Sequence, residues 1–238
     1  MKKLTELMNR YPQFQMLDIG TGVGNFIMTV QQLTDDYQKI VGIDYSERMI
    51  ELARKNFAED KRIEFTLMDV NDSMFDDETF DIVSLSNSLH HLSDIKKTLE
   101  EMRRLVKPEG VILIHEMISD GLNDKQISHK LLHHFSAEID RELGMIHNDT
   151  YKRDEIIQII NEHSNLSIDS FWPVIPETLE SATDEEVEGI LQLVDRLVSR
   201  AKSSDKFDHF LSKAEDIKKY ILEHGYEGCT QMIYVLKK

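Results

Sequence analysis

Histidine is concentrated in the middle of this chain. An imidazole ionises near neutral pH, so it can accept a proton, orient a polar substrate or bind a divalent metal ion. His91, His115 and His133 are our candidates for a group that orients a substrate or accepts its proton. Seven of the ten histidines lie between positions 90 and 147: His90, His91, His115, His129, His133, His134 and His147.

A metal site is one interpretation of these histidines. His129 and His133 are four residues apart in a segment with helical periodicity, so they share a face, and Asp140 falls on the same face. Two histidines at this spacing with a carboxylate can bind a divalent ion. The simpler interpretation is a solvent-facing stripe, and we assign no metal ligand from the sequence.

A glycine-rich segment offers a second kind of chemistry. The apolar run Met16–Ile19 contains Asp18 and is followed by Gly20, Gly22 and Gly24, after which apolar residues return at helical spacing. This order predicts a strand, a tight turn and a helix, with room for a ligand against bare backbone. The G-x-G-x-G spacing differs from the G-x-G-x-x-G of dinucleotide sites. A carboxylate before the loop repels phosphate, so we expect a ligand with positively charged groups.

Further apolar runs supply the elements that must position these residues. The second run ends at Asp44, 20 residues after Gly24, and the third contains Asp69. Two more runs begin at Phe80 and at Val111, and helical segments separate most of these runs. Continuous apolar strands that alternate with helices predict a parallel sheet covered on both faces.

Five motifs in this order resemble the class I S-adenosylmethionine-dependent methyltransferases, in particular the small ubiquinone/menaquinone-biosynthesis-like members. The resemblance is strong over residues 14–117. It implies an α/β, doubly wound (Rossmann-like), seven-stranded and mostly parallel sheet with an antiparallel last strand. The motifs are Asp18-Ile19-Gly20-Thr21-Gly22-Val23-Gly24, Gly42-Ile43-Asp44-Tyr45-Ser46, Met68-Asp69, Asn87-Ser88-Leu89-His90-His91-Leu92 and Leu105-Val106-Lys107-Pro108-Glu109-Gly110.

The resemblance also implies S-adenosylmethionine as cofactor and assigns its contacts. The glycine turn would lie against the methionine part, Asp44 would bind both ribose hydroxyls, and Asp69 would accept a hydrogen bond from the adenine amine. Asp44 and Asp69 could instead be turn formers at strand ends, and Met49 could be a core residue. The implied cofactor residues are Asp18, Gly20, Thr21, Gly22, Gly24, Asp44, Tyr45, Met49, Met68, Asp69, Val70 and Ser86.

Composition narrows the class of protein. The chain has 238 residues, a formal net charge of −16 and one cysteine, Cys229. The acidic charge argues against nucleic acid and anionic membrane surfaces as partners. The single cysteine excludes internal disulfides, no apolar run is long enough to span a bilayer, and we expect a cytoplasmic protein.

The residues after position 117 are expected to carry specificity. We predict one methyltransferase domain over 1–238, with its cofactor-binding half at 14–117 and helical insertions at 118–165 and 177–225. The insertions are interpreted as a cap on the substrate side or an oligomer surface. The first insertion begins with a predicted helix over 123–143, with an apolar stripe at Ile127, Leu131, Phe135, Ile139 and Leu143.

Capping residues mark the later elements of this half. Thr150 is expected to cap a second helix that continues to His163, and Thr183 with Glu186 forms a capping box. Residues 231–236 are expected to form the last strand.

The resemblance implies transfer of a methyl group to a small-molecule acceptor by in-line displacement, with a histidine as the base for a hydroxyl or protonated amine and no base for an enolate-like carbon or a thiolate. The sequence does not distinguish oxygen, nitrogen, sulfur and carbon as the methylated atom. A methyltransferase acting on protein or RNA, and a protein that binds S-adenosylmethionine without catalysis, stay open as alternatives.

Overall fold

A computed structural model describes residues 1–174 and 182–238. Within these residues the chain forms one seven-stranded sheet with helices on both faces, in the order β3-β2-β1-β4-β5-β7-β6. The sheet consists of β1 (Phe14–Ile19), β2 (Tyr37–Asp44), β3 (Ile63–Leu67), β4 (Phe80–Ser86), β5 (Val106–Met117), β6 (Ser167–Val174) and β7 (Gln231–Lys237).

The strand directions confirm the fold inferred from the sequence. Strand β1 runs parallel to both β2 and β4, and the parallel pairing continues to β3 on one side and β5 on the other. Only β7 is reversed, since it pairs antiparallel with both β5 and β6. The doubly wound sheet with an antiparallel last strand is therefore as expected.

Helices connect the strands, and several of them begin at a side chain that caps the first turn. Ser46 accepts from the Met49 N–H, and Asp94 accepts from the Lys97 N–H. No helix in the described ranges is long and apolar enough to cross a membrane. The helices are α1 (Lys2–Met8), α2 (Asn25–Leu33), α3 (Glu47–Asn56), α4 (Ile95–Leu105), α5 (Asp124–Glu142), α6 (Arg153–His163), α7 (Asp184–Arg200) and α8 (Phe207–His224).

Both faces of the sheet are buried because alternate residues of each strand point to opposite sides. In β5, Ile112 and Ile114 belong to one apolar core, whereas Val111 and Leu113 belong to the other. The same alternation continues to the end of the strand. His115 and Glu116 therefore point to opposite faces of the sheet, and their side chains have different neighbours.

The strand order reverses between β1 and β4, which is the topological switch point of this fold. In open α/β sheets a ligand binds in the crevice at the carboxyl ends of the strands at such a point. The glycine segment follows β1, and the segment Asn87–Ser88 follows β4. The two segments thus flank the crevice.

Three helices of the second half form a separate packing unit, which we name the cap. Buried side chains of α5, α7 and α8 make a third apolar core, with Phe135, Val194 and Phe210 among its members. Helix α6 packs elsewhere, because Ile156 and Ile160 belong to the core of the sheet. The predicted insertion 118–165 therefore divides between cap and sheet. The first residues of the predicted 177–225 insertion lie outside the described residues.

The apolar stripe of α5 is wider than expected and ends earlier. Phe135 and Ile139 are buried and Leu131 packs half-buried against the same core as predicted, but Leu132 is buried as well, and Leu143 is 41% exposed. Helices α7 and α8 contact one side of α5, and the segment between α5 and α6, which contains His147, contacts another side. His133 is consequently half-buried rather than part of a solvent-facing stripe.

The expected helix cap at Thr150 is wrong, whereas the one at Thr183 is confirmed. Helix α6 begins at Arg153, and the Glu155 carboxylate accepts from the Lys152 N–H at its start. The Thr150 hydroxyl instead lies 2.8 Å from His134 Nε2. Thr183 and Glu186 form the predicted capping box of α7.

Candidate functional site

The glycine segment has the close backbone packing that its composition predicts. Gly20, Gly22 and Gly24 all have positive φ, a conformation that side chains disfavour. A Cβ on Gly20 would lie 2.5 Å from the Ser88 hydroxyl oxygen, and one on Gly24 would lie 2.3 Å from the Phe57 ring. A Cβ on Gly22 would meet no atom within 4 Å, so this glycine borders open space.

The buried Asp18 side chain stabilises the glycine segment. It is 1% exposed, and its two oxygens accept from the hydroxyls of Thr21 at 2.7 Å and Ser84 at 2.6 Å. Burial raises the pKa of the Asp18 carboxyl to about 6, and the two hydroxyl donors oppose that rise. Asp18 and Thr21 therefore tie the turn to β4, and direct contact of Asp18 with a ligand stays a prediction.

Asp44 joins the end of β2 to the glycine segment. One carboxylate oxygen accepts from the Gly22 N–H at 2.9 Å, and the other accepts from the Ser46 N–H at 2.8 Å. A carboxylate oxygen has two lone pairs, so each can accept a further hydrogen bond. The carboxylate predicted to bind a ribose is thus fixed beside the open space at Gly22.

The other predicted cofactor residues follow β2 and β3 at the same edge. Tyr45 is 75% exposed, and Met49 is half-buried on the first turn of α3. Met68 packs against the core, Val70 is buried within it, and exposed Asp69 accepts from the Asn71 N–H at 2.9 Å. An exposed aromatic ring and an exposed carboxylate next to Asp44 suit an adenosine.

Ser86 and His115 form a polar pair at the ends of β4 and β5. The Ser86 hydroxyl oxygen lies 3.0 Å from His115 Nδ1, and the His115 ring packs 5.5 Å from the Phe26 ring between centroids. His115 Nε2 is buried and has no hydrogen-bond partner in the part of the chain that the structure describes. Burial lowers the pKa of His115 to about 4, so the ring is neutral at physiological pH.

His91 and His133 belong to a second group, on the other face of the sheet. Their partners are His90, in the 3-10 turn Leu89–His91 after β4, and His147, in the segment between α5 and α6. Ring centroids lie 4.1 Å apart for His91 and His147, and 5.0 Å apart for His90 and His133. We name His90, His133 and His147 the histidine cluster.

The three predicted catalytic histidines are therefore not one site. His91 adjoins the histidine cluster and His133 is part of it, while His115 faces Ser86 and Phe26. Burial is the main cause that lowers the pKa of His91 to about 4 and that of His133 to about 2.

Sequence reasoning missed two residues that shape this region. Ser88 donates to the Gly20 carbonyl oxygen at 3.1 Å and so links the two segments that flank the crevice. Glu116 is fully buried and accepts from the Leu89 N–H at 3.0 Å and lies 3.1 Å from His90 Nδ1. Both residues occur at strand ends, which was the one signal in the sequence that could have identified them.

Comparisons with known proteins agree with this geometry. Residues 17–114 match the family described as a methyltransferase domain. A demethylmenaquinone methyltransferase of Clavibacter sepedonicus is 36% identical over 102 residues, which is 43% of this chain and 40% of that protein. An uncharacterised methyltransferase of Bacillus subtilis, YcgJ, is 30% identical over 122 residues, 49% of this chain and 47% of that protein. The alignments thus span less than half of each curated relative.

Solved structures extend the likeness of fold to the whole chain. The crystal structure of YcgJ has a TM-score of 0.59 at 18% identity and covers 100% of this chain and 99% of its own. A structure described as a methyltransferase from Bacillus halodurans has a TM-score of 0.61 at 15% identity, with 99% and 98% covered. Residues 17–114 thus match a methyltransferase domain, with the glycine segment and Asp44 at the switch point of the sheet, and the chain is similar in fold to solved structures described as methyltransferases.

Proposed function

We propose that this protein transfers the methyl group of S-adenosylmethionine to a small-molecule acceptor. The observation that carries the proposal is the hydrogen bond from the Gly22 N–H to Asp44, at the switch point of the sheet. This hydrogen bond places the Asp44 carboxylate next to the glycine backbone, and both lie beside open space. An adenosyl cofactor with a charged amino-acid end requires such a carboxylate and such a backbone.

The residues present fit this cofactor. A Cβ at Gly22 would enter the open space, and no atom of the described residues other than those of Gly22 and its two chain neighbours lies within 4 Å of that position. Asp44 would accept hydrogen bonds from the ribose hydroxyls, and Tyr45 and Met49 would flank the ribose or adenine. Asp69 would accept from the adenine amine, with Met68 and Val70 beneath the ring. Gly20, Thr21, Gly24 and Ser86 would border the methionine end.

The protein's part in the reaction is mainly positioning. The cofactor supplies an electrophilic methyl group on a sulfonium, and the chain must align an acceptor in line with it and exclude water. His115 lies at the carboxyl edge of the sheet with one ring nitrogen unpaired and its ring neutral. That nitrogen would accept a hydrogen bond from an acceptor hydroxyl or amine and so orient it. A contribution of His91 or His133 to the reaction would come from the face of the sheet opposite to His115.

A small molecule is favoured over a macromolecule as the acceptor. The net charge of −16 opposes binding of RNA, whose phosphates need a basic surface. The Clavibacter relative is named for a menaquinone precursor, and a quinol-type acceptor is therefore a first candidate. The cap of α5, α7 and α8 would serve as the substrate side or as an oligomer surface, and we expect the protein to act in the cytoplasm.

The test is turnover with a panel of acceptors. The protein would be incubated with S-adenosylmethionine carrying a labelled methyl group and with quinols, phenols, amines and thiols in separate reactions. Label in one acceptor class with matching release of S-adenosylhomocysteine is the expected result, and Asp44→Ala should slow it when the cofactor is below saturation. Cofactor binding without label transfer to any acceptor would favour the non-catalytic alternative, and label in RNA or protein would favour a macromolecular substrate.

A further inference from the structure

The histidine cluster brings three imidazoles together from three parts of the chain. His90 follows β4, His133 lies in the middle of α5, and His147 lies between α5 and α6. One ring nitrogen from each lies within 4.8 Å of those of the other two. His90 is 1% exposed and His147 is 6% exposed, so this is an interior feature rather than a surface group of polar residues.

Each histidine of the cluster has a buried ring nitrogen that lacks a hydrogen-bond partner among residues 1–174 and 182–238. The nitrogens are His90 Nε2, His133 Nδ1 and His147 Nε2. Buried polar atoms are nearly always paired, because an unpaired one loses its bonds to water without compensation. Three such nitrogens in one place therefore indicate a shared partner that the described residues do not supply.

Carboxylates fix the proton on two of these rings. Glu116 Oε1 lies 3.1 Å from His90 Nδ1, and Asp140 Oδ2 lies 2.6 Å from His147 Nδ1. With the carboxylate oxygen as the acceptor in each contact, Nδ1 of the ring carries the hydrogen. The lone pair of each ring is then on Nε2, the nitrogen that lacks a partner. A histidine that binds metal usually donates its other N–H to a carboxylate in this way.

We propose that His90, His133 and His147 bind one divalent transition-metal ion, with zinc as the ion the donor set favours. Imidazole nitrogens suit zinc, and three protein ligands with an open fourth position are typical of its non-structural sites. Zn–N bonds of about 2.0–2.1 Å in a tetrahedron put the nitrogens about 3.3 Å apart, which is compatible with three nitrogens that lie within 4.8 Å of one another. Glu116 and Asp140 balance the charge of the ion.

The site differs from the one that the sequence suggested. His129 and His133 were the candidate pair, but His129 Nδ1 accepts from the Cys229 N–H at 2.8 Å and is already used. Asp140 takes part through His147 and also pairs with Arg200. A metal ion here would connect the 3-10 turn after β4, next to the crevice, to cap helix α5.

The first experiment is metal binding by the full chain without a histidine tag. The protein would be stripped with a chelator, and Zn²⁺ would then be titrated by calorimetry, with Co²⁺ added separately to follow visible absorption. One ion per chain, submicromolar affinity and a tetrahedral Co²⁺ spectrum are expected. Weak binding of several ions, or no binding, would overturn the proposal and leave ordered water as the partner of these nitrogens.

Variants identify the ligands independently of methyl transfer. His133→Gln, at the half-buried member, should weaken Zn²⁺ binding at least 100-fold, and Asp140→Asn should weaken it about 10- to 100-fold. His209→Ala is the matched control, because His209 is exposed and pairs with Glu138 on the cap. Zn²⁺ should raise the thermal midpoint of the unmodified chain and of His209→Ala but not of His133→Gln. Equal affinity in His133→Gln and the control would refute the assignment.

Discussion

The Asp44 carboxylate accepts a hydrogen bond from the Gly22 main-chain N–H at 2.9 Å. The bond joins the end of β2 to the turn after β1, at the carboxyl end of this pair of parallel strands. One side chain thus sets the shape of the glycine segment and lies beside the open space at Gly22. The candidate cofactor site depends on this relationship.

Removal of the Asp44 carboxylate should weaken cofactor binding. Asp44→Ala would lose the charged hydrogen bonds to the ribose, worth about 1–3 kcal/mol, which corresponds to about 5- to 150-fold in affinity. Calorimetric titration with S-adenosylhomocysteine measures this directly. Asp205→Ala, at an exposed position on the cap side, is the control. Unchanged affinity in Asp44→Ala would mean that the pocket is assigned wrongly.

Two glycines should respond differently to substitution by alanine. Both Gly20 and Gly22 have positive φ, which costs an alanine about 1–2 kcal/mol. Gly20→Ala also places its Cβ against Ser88, so it should lower the thermal midpoint further. Gly22→Ala meets no atom and should mainly reduce cofactor affinity, because its Cβ enters the proposed site. The opposite pattern in melting and binding experiments would argue that the cofactor does not lie at Gly22.

Asp18 should make stability depend on pH. Its pKa is raised from 3.8 to about 6 in the folded protein, so the folded state holds the proton more tightly than the unfolded state. The free energy of unfolding should therefore decrease as the pH rises from about 4 to about 6, by at most about 3 kcal/mol.

Asp18→Asn removes this titration, and the two hydroxyl partners can reorient around the amide. Denaturant unfolding of both proteins at pH 4, 5, 6 and 7 gives the difference, with other carboxylates cancelling. A difference that stays constant over this range would show that Asp18 does not titrate there.

His115 should affect turnover more than cofactor affinity. Loss of its ring in His115→Ala should lower kcat at least about tenfold once an acceptor is known, with S-adenosylhomocysteine affinity nearly unchanged. Because its pKa is about 4, the ring is neutral from pH 6 to 8, so that its contribution should be constant there and fall below about pH 5. Equal losses in kcat and affinity would make His115 a packing residue beside Phe26.

Local patterns predicted the parallel sheet and the glycine segment well. Strand β1, Gly20–Gly24 and the capping box at Thr183 depend on neighbours within a few residues, and such neighbours can be read from the sequence. Thr150 was misjudged because its partner, His134, comes from another element. The apolar face of α5 was predicted, but the burial of Leu132 depends on α7 and α8, which pack against that helix.

The histidine cluster also depends on contacts between distant elements, which the sequence does not reveal. His90 and His133 are distant in sequence, and His147 joins them only when the segment after α5 folds back onto the turn after β4. Because His129 and His133 are four residues apart, they are the pair that the sequence pattern indicates. The choice between His129 and His147 was decided by Asp140 and Cys229, whose positions only the fold defines.

The most direct test of the central claim is a calorimetric titration of the unmodified chain with S-adenosylmethionine, S-adenosylhomocysteine and NAD in turn. We expect S-adenosylmethionine and S-adenosylhomocysteine to bind with micromolar affinity at one site per chain, and we expect no binding of NAD. Binding of NAD alone would contradict this expectation, because the glycine segment would then hold a pyrophosphate and the proposed methyl transfer would lose its cofactor.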